Sequence, residues 1–196
     1  MVTDLKRLNP ITEIFRAAAA APPEALREWD TRVSARIEDY ACRQSASEIV
    51  EIVLGSAVFL FDCVSNRVVL AYGVSTPQLM ARDAARIRGF PDVNVQVRRV
   101  AGADATPYDR GHFLGHASGG KLDINLFPHE RSLNRGWSEE GKRFRQLERL
   151  AAENCGTFFF HRPEYVDETW IPASLEYGVL VNGFCWELGL FVNRLL

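Results

Sequence analysis

Two short apolar runs, Ala57-Val58-Phe59-Leu60-Phe61 and Val68-Val69-Leu70-Ala71-Tyr72, flank the turn-forming Ser65-Asn66-Arg67. β-branched and aromatic residues at this density, bounded by turn residues, specify a hairpin and so commit the chain to a sheet. Further strand patterns follow: Val93 to Val100, which alternates apolar and polar residues, Thr157 to His161, and Ala173 to Asn182. The last passes through Asn182-Gly183 into Phe184 to Val192, and an Asn-Gly pair between such runs joins adjacent antiparallel strands. No βαβ rhythm links these segments, so the expected architecture is α+β with an antiparallel sheet.

Helical patterns surround the strands. Residues 10–21 start at Pro10 after Asn9 and run through five alanines to Pro22-Pro23. From Pro23 to about Arg43 the residues Leu26, Trp29, Val33, Ile37 and Tyr40 recur at three or four positions, a helical stripe. Ser47 with Val50 onward is expected to open a further short helix ending at Gly55, and Thr76-Pro77 one that continues to about Arg88. Glu139 to Asn154 places Phe144, Leu147, Leu150 and Ala151 on one face before Gly156 stops it. The division expected is an N-terminal helical region over 1–55, packing on or regulating the core, and a main domain over 56–196.

A chain of 196 residues that is 47% hydrophobic buries a substantial core without needing a second domain. Its net charge of −2 argues against a protein that coats nucleic acid electrostatically. The charge is segregated, however: residues 1–80 carry 8 basic and 10 acidic groups, residues 81–149 carry 13 and 9, and residues 150–196 carry 2 and 6. Attraction for a polyanion is therefore concentrated in the middle segment. Cys42, Cys63, Cys155 and Cys185 lie far apart without CxxC spacing and are expected to be reduced, mostly buried thiols of a cytoplasmic protein. Polar residues from Asn9 to Arg16 break any signal-peptide pattern, and the longest apolar stretch, Ile49 to Phe61, contains Glu51 and Gly55 and is too short to span a bilayer.

Within the positive segment, Tyr108 to Trp137 holds three of the four histidines together with a dense set of amide and guanidinium groups. Cutting a phosphodiester at neutral pH needs a base for water, a cation against the leaving oxygen, and donors to hold the phosphate. His112 is the candidate base, since an unperturbed imidazole titrates near ~6.5 and is largely neutral at physiological pH. Asn125 and Asn134 offer amide oxygens, hard ligands of the kind Mg²⁺ accepts while keeping several waters. Arg110, Arg135, Arg143 and Arg145 can fork onto phosphate oxygens.

The segments Asp109-Arg110-Gly111-His112, Asn125-Leu126-Phe127-Pro128 and Leu133-Asn134-Arg135-Gly136 resemble, in order and spacing, the DNA/RNA non-specific endonucleases of the ββα-metal, or His-Me finger, nuclease superfamily. The resemblance covers residues 105–192. It implies an antiparallel sheet carrying a ββα-metal core, with the N-terminal helices as an extension. It further implies that His112 is the general base, Asn134 the one direct protein ligand of a hydrated Mg²⁺ for which Mn²⁺ substitutes, and Asn125 the amide that orients the site. Arg110 matches the arginine on the scissile phosphate, while Arg135 and Arg145 are candidate substrate contacts from their guanidinium chemistry alone. A glutamate and an arginine on the following helix assist the metal's waters and the transition state in such enzymes. Glu140, or its neighbour Glu139, with Arg143 is the candidate pair here, at a spacing one or two residues from the usual form. His129 stands where the family has glutamine and is a candidate substrate contact. Asp109 and Gly111 are assigned structural roles, His116 and His161 are read as structural, and Trp137 as core.

The implied activity is metal-dependent, sequence-tolerant hydrolysis of DNA or RNA that leaves 5′-phosphate ends. A cytoplasmic enzyme of that kind endangers its own cell, so an antibacterial or defence toxin is expected, delivered to other cells or restrained by a protein inhibitor or immunity protein. A pull-down with no inhibitor, together with harmless overexpression of active enzyme, would sink that expectation. No membrane partner is expected, and a homodimer through the N-terminal helices is compatible with their apolar stripe. Two rivals remain: a zinc-dependent hydrolase using His112 and His116, spaced four apart but without the glutamate of a helical zinc motif, and a non-catalytic nucleic-acid-binding module. Gly115 to Lys121 nearly forms a phosphate-binding P-loop, but Leu122 replaces the Ser or Thr that would ligate Mg²⁺.

Overall fold

The computed structural model describes residues 27, 31, 35–44, 48–78, 108–182 and 185–193. The hairpin forms as expected, from β2 (Ala57–Asp62) and β3 (Arg67–Val74), and extends on one side to β1 (Ile49–Leu54). On the other side come β6 (Phe158–Glu164), β7 (Ser174–Val181) and β8 (Cys185–Val192), giving one six-stranded sheet in the order β1-β2-β3-β6-β7-β8. Every neighbouring pair in it is antiparallel. Asn182, at φ 53, turns the chain out of β7.

Strand β1 overturns the expected short helix from Val50 to Gly55. Its sequence IVEIVL is dominated by β-branched residues, and its burial alternates along the strand, with Glu51 and Val53 outward. Those side chains lose rotamer freedom in a helix and fit a pleated surface better. Gly55, at φ 67, supplies the left-handed turn into β2, so its role is to end a strand rather than a helix. The expected helices over 10–21 and 76–88 and the strand over 93–100 lie largely or wholly outside the described residues.

The central strands are buried on both faces, and each face carries its own core. Phe59, Ala71, Phe159, Tyr177 and Phe191 pack on one side with Phe113, Phe127, Phe144 and Leu147. On the other, Val58, Leu60, Leu70, Tyr72, Phe158 and Phe160 pack with Ile37 and Tyr40 of helix α1 (Ala35–Arg43). Helix α1 thus realises the end of the stripe read over Pro23 to Arg43. Among the described residues, no helix is long and apolar enough to cross a membrane. All four cysteines are free and exposed, against the expected burial, because each falls at a strand end, a helix end or a turn.

The remaining elements sit on the first face. Strands β4 (Tyr108–His112) and β5 (Leu126–Glu130) pair antiparallel as a separate ribbon, followed by the short helix α2 (Arg131–Arg135) and the long helix α3 (Glu139–Glu153). Ser138 caps α3 by accepting from the Gly141 N–H at 3.0 Å, and Phe144, Leu147 and Ala151 form its buried stripe. The ribbon is fastened to the sheet by Asn193, which accepts from Glu130 N–H at 2.9 Å and donates to Pro128 and Pro172 carbonyls at 2.9 and 2.8 Å.

His129 and His161 are buried at 0% exposure in the aromatic core between ribbon, α3 and sheet, and their ring nitrogens make no hydrogen bond. Burial lowers the His129 pKa to about 3, opposed by the Asp109 charge, and holds His161 well below the ordinary histidine value. Both imidazoles are therefore neutral when folded and bind a proton on unfolding below ~6.5, so the stability they permit is complete above that pH and lost as pH falls. Each contributes a slope of about 1.4 kcal/mol per pH unit. Urea unfolding should lose up to about 4 kcal/mol between pH 6.5 and 5 from the pair. His161→Phe should roughly halve that loss; equal stability at the two pH values would contradict a neutral buried pair.

Candidate active site

The DRGH segment is strand β4, and its alternation assigns each residue a side. Arg110 and His112, two positions apart, leave the same face of the ribbon. Gly111 faces the core, where a Cβ would lie 2.4 Å from Cβ of His129. No other residue fits there, which accounts for its structural assignment.

After His112 the chain turns through Phe113 to Asp123 without a strand partner, and Asn125 supplies what the backbone lacks. Its Oδ1 accepts from Leu114 N–H at 2.8 Å, and its Nδ2 donates to the carbonyls of Leu114 at 2.9 Å and Lys121 at 2.7 Å. The amide is buried at 1% exposure with both ends engaged, so Asn125 shapes the loop behind His112 through the backbone.

Helix α2 delivers Asn134 and Arg135. The Glu130 carboxylate caps its start, accepting from Ser132 and Leu133 N–H at 2.8 and 2.7 Å, and Gly136 ends it in the left-handed region at φ 71. Asp109 ties the helix to β4. It accepts from Arg131 Nε at 3.1 Å, from Arg135 Nε at 2.6 Å and Nη2 at 3.2 Å, and from Asn134 Nδ2 at 3.3 Å. Burial alone would raise the Asp109 carboxyl; the hydrogen bonds from Arg135, Asn134 and Arg131 and the Arg135 charge outweigh it and hold the group below its ordinary value. An ionised carboxylate only accepts, so the end of the Asn134 amide that Asp109 holds is its NH₂.

A cleft of about 500 Å³ lies between β4, the loop after it, α2 and α3. Arg110, His112, Asn134, Arg135 and Arg145 line it, joined by His116, Glu148 and Arg149. His116 sits on a single 3-10 turn, its ring held by Gln78 Nε2 at 2.8 Å from Nδ1, so it shares no helix with His112. Among the described residues no three His, Cys, Asp or Glu side chains group as a metal cage.

The helix pair expected at Glu140 and Arg143 is not part of this lining. Arg143 donates from Nη2 to the Leu188 carbonyl at 2.8 Å, toward the sheet, and Glu140 is exposed. Helical phase is the cause: Arg145, Glu148, Arg149 and Ala152 share one face at spacings of three and four, while Arg143 is about 200° from Arg145. The carboxylate in the cleft is Glu148, side chain 17% exposed, with Arg145 Nη1 on its Oε2 at 2.7 Å. The phase was available in the sequence from Phe144, Leu147 and Ala151. His129 likewise does not reach the cleft, being wholly buried, and Trp137, read as core, is 63% exposed.

No family model matches the chain, and no curated protein matches it closely enough to be counted a relative.

Replacing Asn125 by Ala leaves the Leu114 N–H and two carbonyls without partners in a buried loop. The expected cost is about 2–4 kcal/mol in urea unfolding, from roughly 1–3 kcal/mol per stranded group with partial relaxation. A loss below about 0.5 kcal/mol would show that the loop holds its shape without the amide.

Proposed function

We propose that the protein is a metal-dependent, sequence-tolerant endonuclease that hydrolyses phosphodiester bonds in DNA or RNA and leaves 5′-phosphate ends. In this reading β4, β5 and α3 are the two strands and helix of a ββα-metal core. The observation that carries it is the convergence of an imidazole, an amide oxygen, a carboxylate and four guanidiniums, from His112, Asn134, Glu148, Arg110, Arg135, Arg145 and Arg149, in one cleft. Such a set combines a proton acceptor, hard oxygen donors and phosphate grips, and it serves no structural need that apolar residues would not meet better.

His112 accepts the proton of the attacking water, which adds to phosphorus in line with the departing 3′ oxygen. Arg110 holds non-bridging oxygens of the phosphate in fork geometry, Arg135 adds the Nη1 edge that Asp109 leaves open, and Arg145 and Arg149 extend the grip along the backbone. Asn134, turned by Asp109, and Glu148 present oxygens that suit Mg²⁺, or Mn²⁺ in its place, as an ion that keeps most of its water. When bound, such an ion supplies positive charge against the leaving oxygen. Contact between the arginines and phosphates alone carries no sequence information, which accounts for sequence tolerance.

Purified protein should degrade plasmid DNA or total RNA with Mg²⁺ or Mn²⁺ and stop in EDTA. His112→Ala should lower turnover by about 10²–10⁴-fold at unchanged melting temperature. Undiminished cutting by that variant would remove the imidazole from the mechanism. Glu148→Gln should slow the reaction while Glu140→Gln stays within about twofold of the parent; the reverse order would restore the start of α3 as the source of the helix carboxylate.

A further inference from the structure

Trp137 follows the end of α2 and is the one aromatic among the large hydrophobic side chains exposed in the described residues. Indole is usually covered, because it carries more apolar surface than any other side chain. Its exposure here is not that of a loose loop. The Trp137 N–H donates to Ser132 O at 2.9 Å and the Gly136 N–H to Leu133 O at 3.2 Å, a closed helix terminus that fixes where the side chain leaves the backbone. The guanidinium of Arg135 lies over the ring, 5.1 Å from its centroid. Arg135 is in turn clamped by Asp109 through Nε and Nη2, and it lines the cleft. With one face on Arg135, the 63% exposure of Trp137 must fall on the other face and the edges.

Resting on the endonuclease reading above, we propose that Trp137 is a stacking platform for an unpaired nucleobase next to the phosphate held by Arg135, so that the cleft takes single-stranded nucleic acid in preference to duplex. Every base has a π face, so a platform of this kind adds affinity without reading sequence. The cation beneath the indole polarises it and keeps it from tilting. In a duplex each base is covered above and below by its neighbours and offers no free face. A base that is already unstacked pays no such penalty, and this difference sets the preference.

The test uses one oligonucleotide sequence as single-stranded DNA, single-stranded RNA and duplex DNA, with the full chain, Trp137→Ala and Trp137→Phe. The parent should show a lower KM on both single strands than on duplex. Trp137→Ala should reduce that KM ratio by about tenfold, the scale of one lost base stack, and Trp137→Phe should restore most of it. A ratio unchanged in Trp137→Ala, or a parent that favours duplex, would overturn the platform. Fluorescence anisotropy of a labelled oligothymidylate with His112→Ala, with and without Trp137→Ala, separates the platform from the chemistry. If the parent cuts nothing, the endonuclease reading fails, and the binding titration then decides the platform by itself: a tenfold weaker Kd in the double variant supports it and an equal Kd refutes it.

Discussion

The cleft is organised by one carboxylate. Asp109, with 16% of its side chain exposed, gathers Arg131, Arg135 and Asn134 from α2 onto β4. Three donors around one anion offset its partial desolvation, which is why the group remains ionised. The consequences are geometric. Asp109 holds the NH₂ end of the Asn134 amide and the Nε–Nη2 edge of Arg135, and the indole of Trp137 takes its support from Arg135. A neutral residue at 109 would leave two arginines and an amide to find separate positions.

That bracket rests on a ribbon whose adjoining irregular chain is tied by side-chain amides. Asn125 closes the loop after His112, and Asn193 joins β5 to the end of the sheet. In each case one amide replaces several missing ladder bonds, which a buried backbone requires. Packing supplies the other half. Gly111 admits the His129 ring, and the ring sits 4.7 Å from Phe144 of α3, so β4, β5 and α3 are keyed together at one point. A histidine in that position, wholly buried beside Phe127 and Phe144, fits as a flat ring in an aromatic stack rather than as a contact for substrate.

Much of this was legible from local pattern. Hairpin β2–β3, strands β6 to β8, helix α3 and the grouping of Arg110, His112 and Asn134 follow from alternation, helical stripe and motif order. Where the structure differs from the local pattern, a longer-range constraint governs. Ser47 and Gly55 suggest a helix over Val50 to Leu54, although its pairing partner β2 decides it as a strand. The resemblance points to a glutamate at the start of α3, at Glu140 or Glu139, whereas the phase of the helix turns Glu148 to the cleft, a little over two turns beyond Glu140. Tryptophan is usually covered, yet Trp137 comes after a left-handed glycine that ends α2, and it is directed outward.

The two ion-paired centres also explain how a cleft with so many guanidiniums stays ordered. Four arginines facing a common space repel one another and would scatter into solvent as flexible side chains. Asp109 holds Arg135, and Glu148 holds Arg145, whose Cγ would lie 3.1 Å from a Cβ at Gly136, so the end of α2 and the face of α3 are set against each other. These pairs are partly exposed, and such pairs add little to stability. Their effect is on readiness. An arginine already held by a carboxylate has less side-chain freedom left to lose on meeting an anion, and on the proposed reading that saving would favour placement of a phosphate. On the proposed reading the carboxylates near the cleft would assist an anion through order, although their charge alone opposes it.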